Sequence, residues 1–287
     1  MTKNFYSLPQ AIYELEGVRP ILLNANNSIL HKKLSQSMLD MEKIIVSHSI
    51  VYVISGTVKI VTQDYQETIV SEKEMLFMPK NSYIISDYVQ KGSPMEVYLF
   101  FFDHTISTRF FSLYPQQHSQ VKIEPLKLKT TNNILHYINS LASMQYKYIN
   151  DQSMLEIKLL EFLALVQEQN STFIQVLKNS EIQDSSLDIK TYMSKYYDKE
   201  LSIEEWASLV GKSLSTFNRH FKKHYNISPK QWLLQENMQL AFTMLKNGKN
   251  TSECAQEFGY SNVSNFIKAY KSIHDNTPKQ HQLQTSD

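Results

Sequence analysis

One stretch near the C-terminal end occurs twice. Ala207, Gly211 and Ser213 recur as Ala255, Gly259 and Ser261, each 48 positions on. After one inserted residue the offset becomes 49, so Phe217, Phe221 and Lys222 recur as Phe266, Tyr270 and Lys271. Ser228-Pro229-Lys230-Gln231 then recurs as Thr277-Pro278-Lys279-Gln280. A register held this long constrains the fold more than any single motif, because a chain that repeats its turn chemistry repeats a supersecondary unit.

Each copy reads as a helix-turn-helix. An Ala four residues before a Gly lets a second helix pack close, and the Gly closes the first helix where positive φ is cheap. Two residues later a Ser can cap the next helix by accepting from its orphan N–H groups. That helix carries Leu214, Phe217, Phe221 and Tyr225 in the first copy, and Phe266, Tyr270 and Ile273 in the second, one apolar stripe each. The other face is polar: Ser215, Thr216, Asn218, Arg219 and Lys222, then Ser264, Asn265, Lys268 and Lys271. A buried stripe backed by hydroxyls, amides and cations suits a DNA major groove. A plain helical bundle, the alternative, has no reason to repeat its turns.

Capping boxes are expected at Ser202–Glu205, Ser228–Gln231 and Asn250–Glu253. The middle one opens a connector with Leu234, Met238, Ala241 and Leu245 as its seam, ended by Gly248. About 18 residues at 1.5 Å each span roughly 27 Å, close to the roughly 34 Å between major grooves on one face of DNA. Arg219 is the first base-reading candidate, since Arg pairs bidentately with guanine. Ser215, Thr216, Asn218, Ser264, Asn265 and Lys268 are the others. Lys222, Lys223 and Lys271 are expected on phosphate, which positions without specifying. The charge agrees: residues 1–184 carry net −2 and 185–287 net +3, and between Lys212 and Gln235 there are five cations and no acid.

On Gly211-x-Ser213, Phe217-x-x-x-Phe221-Lys222, Ile227-Ser228-Pro229, Ala255-x-x-x-Gly259-Tyr260-Ser261 and Phe266-x-x-x-Tyr270-Lys271, residues from about Leu187 to Gln280 resemble the tandem DNA-binding domain of the AraC/XylS transcription regulators. Asn226 and Asn276 stand where that family usually has Gly, and Asn tolerates a left-handed conformation. His281 follows Gln280 where an aromatic-Arg pair is common, so a phosphate contact there is not implied.

The rest of the chain has a different texture. Runs at 43–47, Ile50–Ser55, 57–62, Glu67–Val70, Met75–Met78, Tyr83–Ser86 and Met95–Phe102 read as short strands, with Gly56 as a hairpin turn and further turns at Asn81-Ser82 and 91–94. The first twenty residues carry no clear pattern. The strand spacing suggests a jelly roll or small barrel. His31, His48, His104, His118 and His136 are scattered, with no His-x-His pair, so no catalytic metal and no enzyme is expected. Tyr52, Phe77, Tyr83, Tyr98 and Phe100 read as core, or alternatively as the lining of a small-molecule pocket.

Helices are expected at 130–149 and Gln152–Gln169. Leu155, Leu159, Phe162, Leu163 and Val166 make the stripe of the second, with Met154, Ile157, Leu160 and Leu165 widening it. A helix this apolar needs cover on more than one side, and these five are expected to pair two subunits rather than pack under the strands. Asn179–Ser186 reads as a linker, followed by a leading helix over Leu187–Tyr197. The expected class is α+β, with residues 1–180 a β-barrel or jelly-roll regulatory and dimerisation domain and 185–287 an all-α tandem helix-turn-helix domain. Cys254, the one cysteine, fits a small buried filler in a reducing cytoplasm. No signal peptide or membrane span is expected.

Segments at Val51–Val58, Glu74–Tyr83, Leu155–Glu161, Ile227–Trp232 and Leu245–Lys249 resemble one branch of that family, the ExsA-like activators of type III secretion genes. The resemblance implies an activator of virulence secretion operons, with promoter DNA and RNA polymerase as partners. It implies control by a protein anti-activator rather than a sugar, and no cofactor. A small-molecule-responsive regulator of another operon is the alternative.

Overall fold

The computed structural model describes residues 5–90, 92–115, 121–143, 149–186, 193, 201–210 and 212–284. The chain forms two compact units: Met1–Leu187 with Glu205–Lys212, and Asp188–Glu204 with Ser213–Asp287.

In the first unit eleven strands are described: β1 (Phe5–Leu8), β2 (Val18–Asn24), β3 (Asn27–Leu34), β4 (Met38–Ile45), β5 (His48–Ser55), β6 (Thr57–Val61), β7 (Glu67–Val70), β8 (Met75–Met78), β9 (Asn81–Tyr88), β10 (Met95–Phe102) and β11 (Leu126–Leu128). They make two open sheets, in the orders β1-β4-β9-β6-β7 and β11-β8-β5-β10-β3-β2, rather than one closed barrel. All described pairings are antiparallel except β1 with β4. The inner faces meet in a core of Leu8, Ile45, Val58, Ile60 and Ile85 against Leu30, Val51, Leu76, Val97 and Phe101.

The six-stranded sheet is buried on its other face too. There α1 (His104–Leu113), α2 (Asn132–Ser143), α3 (Gln152–Gln169) and α4 (Phe173–Ser186) cover Ile50, Tyr52, Phe77, Tyr98 and Phe100. Burial on both faces explains why residues 50–54 of β5 and 97–102 of β10 are unbroken apolar runs instead of alternating ones. It also splits the expected pocket lining. Tyr52, Phe77, Tyr98 and Phe100 pack under the helices, while Tyr83 packs between the sheets and donates to Pro79 O at 2.8 Å.

Several local expectations change. Gly56 turns no hairpin, because β5 and β6 lie in different sheets. At φ +84° it carries the chain from one to the other, and a Cβ there would stand 2.8 Å from Tyr88 O, so only Gly fits. Asn81 and Ser82 begin β9 rather than a turn. Asn179–Ser186 is the end of α4, not a linker. The leading helix at Leu187–Tyr197 falls outside the described residues, except for Met193, which is buried.

Leu155, Leu159, Phe162, Leu163 and Val166 are each at most 2% exposed, and Phe100 stacks on Phe162 at 3.9 Å between ring centres. The chain's own sheet covers this stripe, so these five side chains have no surface to offer a second subunit. Of the apolar side chains of α3, the one left open is Ile157, 59% exposed.

Two charged clusters lie inside this unit. Between the sheets, Asp87 Oδ2 accepts from Lys32 Nζ at 2.6 Å and Lys43 Nζ at 3.4 Å. They border an apolar cavity of about 30 Å³, room for about one water. Burial pulls the Lys43 ammonium down to about 8, against the pull of Asp87. Burial would raise Asp87, but the two ammonium groups outweigh it and hold the carboxyl low. The second cluster centres on Glu181 of α4. His48 Nε2 lies 3.1 Å away, His104 Nδ1 2.9 Å and Lys80 Nζ 3.6 Å. The Lys80 backbone N–H donates to His48 Nδ1, so His48 donates to Glu181 from Nε2.

The short helix α5 (Ile203–Leu209) is tied to the same unit. Ser208 Oγ donates to Val46 O at 2.7 Å, Lys80 Nζ donates to Ser208 O at 3.2 Å, and Ser7 donates to the Glu205 carboxylate.

Candidate nucleic-acid interface

In the second unit α6 (Leu214–Tyr225), α7 (Pro229–Lys246), α8 (Thr251–Glu257), α9 (Val263–His274) and α10 (Pro278–Gln284) follow one another. Ser213 caps α6, its Oγ accepting from the Thr216 N–H at 3.3 Å. In the second copy the cap of α9 is Asn262, not Ser261, with Oδ1 accepting from the Ser264 N–H at 2.8 Å. The inserted residue falls before the cap, so the helices match at offset 49 from their first residue onward. Both end in a left-handed residue: Asn226 at φ 58° and Asp275, rather than Asn276, at φ 59°. Gly259 has φ 71°, as its turn requires; Gly211 lies outside the described residues.

The stripes that bury these helices are narrow. Phe217 and Phe221 in α6, and Phe266 and Tyr270 in α9, are at most 1% exposed. Phe221 meets Trp232 of α7 edge-on at 6.1 Å. Phe266 and Tyr270 pack with Met238, Ala241 and Leu245 of α7 and with buried Cys254 and Ala255 of α8. Burial pushes the Tyr270 phenol to about 12. Its hydroxyl is 2.8 Å from His281 Nδ1, so His281 is engaged within the unit. The connector α7 has the expected length, with the Ser228–Gln231 capping box, Pro229 in its first turn and Gly248 just past its end at φ 91°. The Asn250–Glu253 capping box is also present.

With the stripes buried, the opposite faces are open. Ser215, Asn218, Arg219, Lys222 and Lys223 are exposed on α6 and Thr216 is half-buried; Ser264, Asn265, Lys268 and Lys271 are exposed on α9. Four pairs stand 49 apart: Ser215 with Ser264, Thr216 with Asn265, Arg219 with Lys268, and Lys222 with Lys271. Each face therefore offers hydroxyl or amide at its leading end, a cation one turn on and a second cation near its trailing end. The Thr216 hydroxyl is already engaged with Ser213 at 2.9 Å. Lys222 and Lys223, in the last turn, also oppose the negative end of the helix dipole.

Leu214 departs from the sequence reading. The stripe pattern places it among the buried residues, yet as the first residue of α6 it is 39% exposed. Among the described residues no group of three or more His, Cys, Asp or Glu is arranged to hold a metal, and no helix is long and apolar enough to cross a membrane.

Comparison with known proteins gives two domain matches. Residues 206–284 match a helix-turn-helix domain, and residues 48–198, more than half of the chain, match the ExsA N-terminal regulatory domain. The chain is 25% identical over 223 residues to the virulence regulon transcriptional activator VirF of Yersinia enterocolitica, covering 74% of this chain and 80% of VirF. It is 28% identical over 130 residues to the thermoregulatory protein LcrF of Yersinia pestis, 45% of this chain and 48% of LcrF. It is also 28% identical over 91 residues to the HTH-type transcriptional regulator ExsA of Pseudomonas aeruginosa, 31% of this chain and 33% of ExsA. With an AraC-type helix-turn-helix domain following an ExsA-type regulatory domain, the chain belongs to the ExsA-like branch of the AraC family of transcription regulators.

Proposed function

We propose that this chain is a sequence-specific, DNA-binding transcriptional activator of virulence genes, those of type III secretion among them. The observation that carries this reading is the pair of matched polar and cationic faces on α6 and α9, held in one unit by α7. In it, Ser215, Thr216, Asn218, Arg219, Ser264, Asn265 and Lys268 read base edges, and Lys222, Lys223 and Lys271 hold phosphates. Residues 1–180 regulate and 185–287 bind promoter DNA in the cytoplasm. RNA polymerase is the partner that an activator requires. Control by a protein anti-activator belongs to the same reading, on the match to the ExsA N-terminal regulatory domain.

Arg219 and Lys223 separate base reading from phosphate contact. Arg219→Ala is expected to cost about 1–3 kcal/mol and to relax preference at one base pair. Lys223→Ala should weaken all sequences alike and lower the salt slope by about one unit. Titrations on single-base operator variants at two salt concentrations decide this. A uniform loss for Arg219→Ala would return that residue to the phosphate class.

Pairing of two copies falls to the open face of α3. Ile157→Glu is expected to shift sedimentation from dimer toward monomer and to reduce cooperative binding at paired sites about tenfold, the effect of about 1.4 kcal/mol at an apolar contact. Unchanged cooperativity in the folded variant would remove α3 from the interface.

A further inference from the structure

Among the described residues of the second unit, two large apolar side chains stand open to solvent, Leu214 at 39% and Val263 at 36%. They are 49 residues apart and occupy the same place, the first residue of α6 and the first of α9. Each stands three residues before the first buried aromatic of its helix, at the exposed tip of that stripe, and Val263 is not among the side chains packed around the second core. Helix formation does not ask for them. Ser213 and Asn262 already cap the two helices, and β-branched Val is a poorer helix former than most polar residues. An exposed apolar residue kept at one register position in both copies points to a shared apolar contact.

The leading residues of a recognition helix meet base edges in the major groove. There one base offers an apolar group, the C5-methyl of thymine. We propose that Leu214 and Val263 each seat against a thymine methyl, so that the operator requires a T·A pair at two positions about 10 bp apart. This rests on the assignment of α6 and α9 as the reading helices and adds a specificity that the polar faces do not supply. Leu, with the longer reach, and Val, with the shorter, fill the same role at the two tips.

The test replaces thymine by deoxyuridine, which removes the methyl and leaves every hydrogen-bonding group in place. An operator is first selected by the full-length chain from random-sequence duplexes. Each thymine on either strand is then exchanged singly. Within the stretch that each copy occupies, binding is expected to fall about fourfold at two positions one helical turn apart, the effect of burying one methyl. In Leu214→Ala the sensitivity should vanish at one of them and persist at the other, with Val263→Ala giving the converse. Both side chains are exposed, and circular dichroism checks that the variants fold. Tight binding with no loss at any deoxyuridine would overturn the methyl contacts while leaving the reading helices in place. So would sensitivity that survives both substitutions. A selection that returns no preferred sequence would overturn the reading assignment and this proposal with it.

Discussion

Asp87→Ala is expected to destabilise the first unit by about 3–5 kcal/mol, the usual cost of leaving buried charge without its partner. Asp87 is 2% exposed and one of its oxygens serves both Lys32 and Lys43. Without it two ammonium groups share an apolar cavity with no counter-charge. Denaturant titration followed by circular dichroism measures the loss. The pH dependence identifies its cause. Lys43 titrates near 8 in the folded chain against 10.5 unfolded. Between those values the unfolded chain binds more protons, so stability rises with pH across that window. The rise should begin at lower pH in Asp87→Ala, because Lys43 then loses the carboxylate that opposes its deprotonation. Replacing Lys32 and Lys43 by Met together with Asp87→Ala should recover most of the loss. If it does not, packing and not charge sets the cost.

Glu181→Gln is expected to have an effect of the same size, about 3–5 kcal/mol, because it keeps the shape and removes the charge that Lys80 and the two histidines face. Here the pH signature has the opposite slope. The hydrogen bond to Glu181 raises His104 above 6.5. Its contribution is therefore complete below pH 6.5 and is lost as pH rises through the raised folded value. Burial would raise Glu181, but Lys80, His104 and His48 hold it below the usual carboxylate range. Its contribution stands above pH 4.5 and declines in acid. In Glu181→Gln the decline above pH 6.5 should disappear. A variant as stable as the parent, with that decline intact, would show that Glu181 does not hold the cluster. Hydrogen exchange in α5 supplies a second readout, since Lys80 also bonds Ser208.

Where a side chain's burial depends on local pattern, the sequence is readable. The bounds of α3 and α7 come from a cap, a period and a stop, all local signals. So do β7, β8 and β10. What it hides depends on distant partners. β3 reads as polar because His31, Lys32 and Lys33 interrupt it, and Lys32 becomes a core residue only when Asp87 arrives from β9. Gly56 looks like any hairpin glycine until the strands on either side join different sheets. Asn179–Ser186 has the composition of a linker, but Glu181 finds its charges on β5, α1 and the turn before β9. The repeat shows two similar first helices, α5 and α8, yet Glu205–Lys212 groups with the first unit while α8 packs on α7. On the candidate interface, alternating exposure places the polar face well. It misplaces Leu214, because a first-turn residue need not share the burial of the stripe it extends.

The connector α7 has a consequence for how the DNA site and the chain can change over time. A continuous helix couples length to rotation: each residue adds 1.5 Å and turns every later residue by about 100°. Deleting one residue from α7 would move α9 little, but would swing its polar face well away from the groove. A deletion of three or four residues would nearly restore the phase, at the cost of about 5 Å of reach. Operator half-sites read by such a chain cannot drift apart one base pair at a time, since no small change in α7 can track them. Their spacing is inherited with the helix, and variation is left to the bases themselves.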